Sequence, residues 1–260
     1  MGSVEWLVGI VVGDGRISDR YVRVYNSDTA IIQKCKNVFD KCFAITEPKL
    51  KIRLLSKDRN GFARNSETTE LTVNSKELSR TFKELRERFL CNPTNDFISG
   101  LFDAEGSVDL RGTVTFWQRK NTSGKEVIQS VIKWLTKRSI KFSEIQNREF
   151  HILEIAGAYK NYLNLQKFLV YVKFSAENKI RNSKLIADIY SRHTLISESD
   201  ILNFVLARSS VTVRDVIESF RIPKMLAYTK LNKLAKGNKI TKIRSYPNRY
   251  FYSRWHSTIR

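Results

Sequence analysis

The chain has 260 residues, 42% of them hydrophobic, and a formal net charge of +20 with a pI near 10.0. That apolar fraction suits a folded protein and excludes a disordered basic tail. No apolar run approaches the roughly 18 residues of a membrane span, the short run over 6–12 lacks the basic lead of a signal peptide, and so large a cationic excess asks for a polyanionic partner, usually nucleic acid.

Taken in order, the periodicities predict a helix over 4–13, a strand over 21–25, a helix over 29–43, strands over 49–54 and 69–73, and a helix over 75–89. The order then restarts: a helix over 95–104, strands over 108–110 and 113–118, a helix over 124–138, strands over 142–146 and 151–155, and helices over 159–172 and 176–191. The expected class is α+β, with two tandem αββαββα repeats at 1–92 and 93–191. Residues 192–260 differ in character. They carry 14 Lys+Arg against 4 Asp+Glu, half of the excess charge in about a quarter of the chain. Helices are expected over 199–207, 213–220 (with Thr212 as N-cap) and 223–236, where Pro223 suits a first turn and Gly237 a left-handed cap. Strands over 240–243 and 250–252 around Pro247-Asn248 complete a pattern that resembles a winged helix-turn-helix. Lys224, Tyr228, Arg244 and Arg249 are its candidate DNA contacts.

Alternation along the strands assigns faces. Lys49, Lys51 and Arg53 oppose Leu50, Ile52 and Leu54; Tyr21, Arg23 and Tyr25 oppose Val22 and Val24. Sheets with one apolar and one basic face bury the first and offer the second to phosphates and bases. The candidate DNA-facing residues are Arg16, Tyr21, Arg23, Tyr25, Lys49, Lys51 and Arg53 in the first repeat, and Thr113, Thr115 and Arg119 in the second. Trp117 is expected to pack rather than to stack on bases. Cys35, Cys42 and Cys91 have neither zinc-ligand spacing nor a disulfide pattern and are expected as small buried residues in a reducing compartment.

The chemistry lies in a repeated segment. Leu7-Val8-Gly9-Ile10-Val11-Val12-Gly13-Asp14-Gly15 recurs about 90 residues later as Ile98-Ser99-Gly100-Leu101-Phe102-Asp103-Ala104-Glu105-Gly106. Gly9 with Gly13, and Gly100 with Ala104, give each helix one face without bulk, so two backbones can approach. Each helix ends in an acid followed by glycine. A carboxylate at a helix C-terminus opposes the macrodipole, and packing the two helices together adds like-charge repulsion. A divalent cation relieves both penalties, and free carbonyls at the helix ends can add oxygen ligands. Such a centre, with Mg²⁺ favoured, can activate water for phosphodiester hydrolysis. Asp103, beside the second acid, reads as structural, and His151, His193 and His256 lie outside the motifs.

These two motifs resemble those of LAGLIDADG homing endonucleases in their single-chain, two-repeat form, and the resemblance spans roughly residues 4–191. It implies pseudo-two-fold symmetry and saddle-shaped antiparallel sheets lying in the DNA major groove. It implies that Asp14 and Glu105 bind the metal, with the carbonyls of Gly13 and Ala104 as co-ligands, and that Mg²⁺ is the cofactor, with Mn²⁺ or Ca²⁺ able to occupy the site in vitro. It places Asn26, Gln118 and Arg119 around the metals and waters. Asn26 departs from the family, which often has lysine there, and leaves that position in the first half without a basic group. The implied activity is double-strand cleavage of a long asymmetric target by a monomer, intron-encoded or free-standing, in a prokaryotic cytoplasm or an organelle. Two alternatives stay open: a DNA-binding transcriptional regulator of the same fold without catalysis, and an RNA maturase acting on intron RNA.

Overall fold

A computed structural model describes residues 3–45, 50–57, 63–120, 122–145, 147–156, 162–191, 196–245 and 252–257. The chain forms two compact units. The first holds Met1–Val108, Thr113–Gly157 and Leu163–Arg181; the second holds Asp109–Gly112, Ala158–Tyr162 and Asn182–Arg260.

In the first unit, the opening repeat runs α1 (Val4–Asp14), β1 (Gly15–Ile17), β2 (Tyr21–Asn26), α2 (Thr29–Phe43), β3 (Leu50–Lys57), β4 (Ala63–Asn74) and α3 (Lys76–Cys91). The second repeat runs α4 (Asn95–Glu105), β5 (Gly106–Asp109), β6 (Thr113–Arg119), α5 (Thr122–Lys137), β7 (Ser143–Ile145), β8 (Phe150–Ala156) and α6 (Tyr162–Tyr171), and α7 (Glu177–Ser191) follows. The two sheets have the same order, β1-β2-β4-β3 and β5-β6-β8-β7. The pairings along them are antiparallel. The expected αββαββα repeat is present twice. Strand β1 was not foreseen, because Gly15-Arg16-Ile17 is too short to show alternation.

Caps start these helices as their sequences direct. Ser3, Asp28, Ser75 and Thr94 each accept a backbone N–H from the first turn. Thr94 also donates to Glu5 Oε2 at 3.0 Å, tying the start of α4 to that of α1. Each sheet buries one face. In the first repeat Val22, Val24, Leu71 and Val73 are fully enclosed, and Phe39 of α2 meets Phe82 of α3 with centroids 5.7 Å apart. In the second, Val114, Phe116, Leu153 and Ile155 are enclosed, and Phe102 of α4 lies 4.9 Å from Phe116 and 5.0 Å from Phe168. Each such side chain contributes about 1.5–3 kcal/mol by burial. The alternation fails at β3. Leu50 is buried, but Ile52 and Leu54, expected to face the helices, are 47% and 62% exposed. β3 is the outer strand of its sheet, so its inner face is covered only at one end. The cysteines also differ from expectation: Cys35 is buried, whereas Cys42 and Cys91 are exposed near helix ends.

The second unit contains α8 (Glu198–Arg208), β9 (Ser210–Thr212), α9 (Val213–Phe220), α10 (Lys224–Lys236), β10 (Ile240–Ser245) and β11 (Tyr252–Ser257). Ser197 and Thr212 form full capping boxes with Asp200 and Asp215. The strands make one three-stranded sheet, β10-β11-β9, rather than a two-stranded wing. β9, three residues long, is too short to show alternation in the sequence. Gly237 is not left-handed (φ −82°); the left-handed residue after α10 is Asn238 (φ 53°). The core gathers Ile201, Val205, Val216, Ile217, Leu231 and Trp255. Leu185 and Ile189 of α7 belong to it too, so the later part of that helix is built into this unit. Among the described residues, no helix is long and apolar enough to cross a membrane.

Candidate active site and nucleic-acid interface

Helices α1 and α4 pack backbone to backbone, and glycine is what permits it. A Cβ on Gly9 would stand 2.2 Å from the Phe97 carbonyl oxygen, and one on Gly100 would stand 2.1 Å from that of Trp6. One turn later, a Cβ on Gly13 would stand 2.5 Å from Ala104 Cβ and 3.2 Å from Glu105 Cγ. The small residues therefore deliver the two helix ends, and the acids that close them, to one place.

The electrostatics fit that crowding. Burial pushes the Asp14 carboxyl up to about 6, against the pull of Lys179 and of a hydrogen bond from Asn26. Burial, and then the charge of Asp14, pushes Glu105 up to about 7; Lys179, Gln118 and Arg119 oppose this. Asn26 Nδ2 donates to Asp14 Oδ2 at 2.8 Å, and its Oδ1 accepts the Asp28 N–H at 2.8 Å, which fixes the amide. Gln118 lies beside Glu105, and its Nε2 is buried. Arg119 is exposed on the rim.

Two clefts flank the helix ends. One, of about 500 Å³, is lined by Asp14, Asn26, Ala104 and Lys179. The other, of about 360 Å³, is lined by Gly13, Glu105, Trp117, Gln118, Arg119 and Phe150. The expected site residues thus divide between two clefts, each lined by both repeats, with Asp14 in one and Glu105 in the other.

Lys179 was not anticipated. It sits in the first turn of α7, and its Nζ donates to the Phe102 and Asp103 carbonyl oxygens at 2.9 and 2.5 Å. It thereby caps the C-terminus of α4, and burial lowers its pKa. A cation in the first turn opposes the macrodipole as the two acids do at the other end, and that misplacement was the available signal. Asp103 has a structural part. Buried, it accepts from Trp6 Nε1 at 2.8 Å and from the backbone N–H groups of Ser175 and Ala176, fixing the approach to α7.

The outer faces of the two sheets differ. In the first, Arg16 pairs with Arg23 across β1 and β2, and Thr72 of β4 lies between Arg23 and Lys51. The Arg23 side chain donates to Thr72 Oγ1 (2.9 Å) and Tyr25 OH (3.0 Å), lies over the Tyr21 ring and faces Glu70 at 3.4 Å. Arg16, Lys51 and Arg53 are exposed, and Lys49 lies outside the described residues. In the second sheet, Thr113, Thr115 and Trp117 share the outer face, and Trp117 is 38% exposed instead of packed away. Glu70 shares this outer face from β4, a strand to whose residues alternation assigns no face.

In the second unit, Lys224 is paired with Asp109 at 3.4 Å, while Tyr228 OH accepts from Lys242 Nζ at 3.0 Å. Arg249, Pro247 and Asn248 lie outside the described residues, as does the side chain of Arg244. Among the described residues, no cluster of three or more His, Cys, Asp or Glu could hold a metal, so a cation here would rest on the two carboxylates and on oxygen ligands of other kinds.

No protein-family model and no curated protein matches the chain. Solved structures do. A variant of I-DmoI in complex with its target DNA in the presence of Mg is 22% identical, covering 65% of this chain and 93% of that one, with a TM-score of 0.49. Full-length DUF199/WhiA from Thermatoga maritima is 14% identical over 91% and 92% of the two chains, with a TM-score of 0.46. The LAGLIDADG meganuclease I-CpaMI bound to uncleaved DNA is 10% identical over 73% and 92%, with a TM-score of 0.45. LAGLIDADG homing endonucleases and WhiA are thus among the solved structures to which this chain is similar.

Proposed function

We propose that the chain is a divalent-metal-dependent, site-specific endonuclease of double-stranded DNA, working as a monomer on a long asymmetric site. The observation that carries this reading is the pair of half-buried carboxylates, Asp14 and Glu105, at adjoining helix ends, the charge of the first raising the pKa of the second. A protein with no use for a cation there gains nothing from such a placement.

The donor set fits a hard cation such as Mg²⁺: two carboxylates, the carbonyls of Gly13 and Ala104, and the balance from water and DNA phosphate. Such an ion, when bound, makes water a nucleophile near neutral pH and stabilises the departing oxygen. The chain's own residues do the remaining work. Asn26 orients Asp14 through a fixed amide. Gln118 stands beside Glu105, and Arg119 offers charge where the phosphate oxygens turn more negative. Lys179 brings to the first cleft the cation that Asn26 lacks. The outer sheet faces read the major groove, and the second unit, as a winged helix-turn-helix, adds phosphate contacts.

A second reading, a DNA-binding regulator without catalysis, is favoured by one observation: Lys179 interacts with both acids and offsets part of their charge. It is the weaker reading. Lys179 spends hydrogen bonds on the carbonyls of α4, and burial still lifts both carboxyls despite it. A nicking assay on a library of duplex sites, with Mg²⁺ and with chelator, decides. Cutting that needs Mg²⁺ and disappears in Asp14→Asn and Glu105→Gln supports the endonuclease; tight DNA binding with no cutting in either condition supports the regulator.

A further inference from the structure

The second repeat offers DNA a surface of different chemistry from the first. Trp117, Ile152 and Ile145 stand in one cross-strand row over β6, β8 and β7, on the face opposite the enclosed Phe116 and Leu153. Trp117 is 38% and Ile145 41% exposed, and Ile152 between them is buried. Phe150 braces Trp117 edge-on, with centroids 6.1 Å apart. The only polar atom of the Trp117 side chain, Nε1, is already used, donating to Thr115 Oγ1 at 3.0 Å. The ring is therefore anchored and has no hydrogen bond to give a base.

Three features say what covers this row. It runs into the cleft of Glu105, because Trp117 and Phe150 line that cleft together with Arg119. Arg119, exposed, gives that end of the row a positive rim; Lys120 and Arg148 are exposed in the adjoining turns, as is Glu149 between them. Glu154 and Thr115 form the neighbouring row, and a carboxylate there keeps phosphates away while accepting from base amino groups. An apolar strip with a cationic rim and an acid that repels backbone meets base edges. The one apolar group on the major-groove edge of a base pair is the C5-methyl of thymine.

Resting on the DNA-binding reading above, we infer that the second repeat reads its half-site through thymine methyl groups, using the exposed row of Trp117 and Ile145, whereas the first repeat reads its half by hydrogen bonds.

The test uses the full chain in Ca²⁺, selecting bound duplexes from a random library; the half-site whose base preferences change in Arg23→Ala is assigned to the first repeat. Thymine is then replaced by deoxyuridine in one half at a time, which removes only the methyl. The expected result is a thymine-enriched second half in which deoxyuridine weakens binding about fourfold per contacted methyl, with changes under about twofold in the first half. Trp117→Ala should erase the deoxyuridine effect. Because Trp117 also braces Phe150, Ile145→Thr on the outer strand β7 provides a milder variant and should reduce the effect with an unchanged Tm. A second half without thymine enrichment, equal deoxyuridine effects in both halves, or a full effect retained in both variants would overturn the inference. Failure to recover any bound site would instead overturn the DNA-binding reading on which it stands.

Discussion

On β2 the outer row runs Tyr21, Arg23, Tyr25; on β6 it runs Thr113, Thr115, Trp117. The strands hold equivalent places in sheets of identical order, and the helices that precede them end in equivalent acids. What the two repeats share is therefore what the helix pair needs, namely small residues at the crossing and a carboxylate at each end. What they do not share is whatever faces outward. The first face is polar and internally wired, with Arg23 held by Glu70, Thr72 and two tyrosines; the second is apolar along its central row. The clefts also carry different cations, Lys179 from α7 in one, and Arg119 from β6 with Arg86 from α3 in the other. A tandem repeat that keeps its inner surface and diverges on its outer one suits a target whose two halves differ.

The acids give the largest expected effect and the hardest test of what the repeats share. Asp14→Asn and Glu105→Gln should each lower cutting by about a thousandfold or more while DNA affinity holds, as expected when charge stabilisation at the reacting phosphate is lost. Single-turnover cleavage with parallel binding measurements checks this. If one variant keeps the native rate, the two clefts are not equivalent and the shared centre is wrong.

The helix crossing comes next. Gly9→Ala and Gly100→Ala should each cost about 3 kcal/mol or more, since either Cβ would sit near 2 Å from a backbone oxygen of the other helix, where no flexible side chain can yield. Gly237→Ala meets nothing nearer than 3.5 Å and should be nearly neutral. Urea unfolding of the three variants reads the difference.

The acids should also mark stability against pH. A carboxyl whose pKa is higher in the folded than in the unfolded state binds extra protons when folded, so folding weakens as pH rises between the two values. For Asp14 that window runs from 3.8 to about 6, and for Glu105 from 4.5 to about 7. The metal-free protein should lose on the order of a few kcal/mol across pH 4–7 from this pair. Asp14→Asn and Glu105→Gln should be more stable than the parent at pH 8 and should flatten the slope. Mg²⁺ should raise the parent's Tm more at pH 8 than at pH 5, since its ligands must be ionised. A parent that is as stable at pH 8 as at pH 5 without metal would remove the electrostatic case for the site.

Much of this was legible in the sequence because it repeats. The paired nine-residue motifs locate both helices and both acids, and 3.6-residue periodicity places α2 and α9 to the residue. What was not legible arises where neighbours, not local pattern, decide. The exposure of Ile52 follows from β3 being an outer strand, which alternation does not encode. β1 and β9 are too short to carry a period. Lys179 comes to Asp14 and Glu105 from a helix far along the chain, and Glu70 comes to Arg23 from a strand that alternation had not assigned to the DNA face.

The smallest expected effects sharpen the difference between the outer faces. Arg23 is held over the Tyr21 ring and braced by Glu70 and Thr72, so its guanidinium is ordered before DNA arrives. An ordered fork suits the paired acceptors of guanine, which such a contact discriminates by about 1–3 kcal/mol. Arg23→Ala should relax preference at one or two base pairs of a single half-site. Glu70→Gln should weaken the same preference by loosening the fork, without moving it to another position. Lys51 shares that face but is exposed, a flexible point charge suited to phosphate. Lys51→Ala should weaken binding evenly across sequences and lower the slope of log affinity against log salt by about 0.9. Val22, enclosed behind them, should cost stability rather than specificity when cut to Ala. A binding profile over all single-base variants of the site, with urea unfolding of each variant, separates these outcomes. A profile untouched by Arg23→Ala but altered by a stable Val22→Ala would mean that DNA lies on the other face of the sheet.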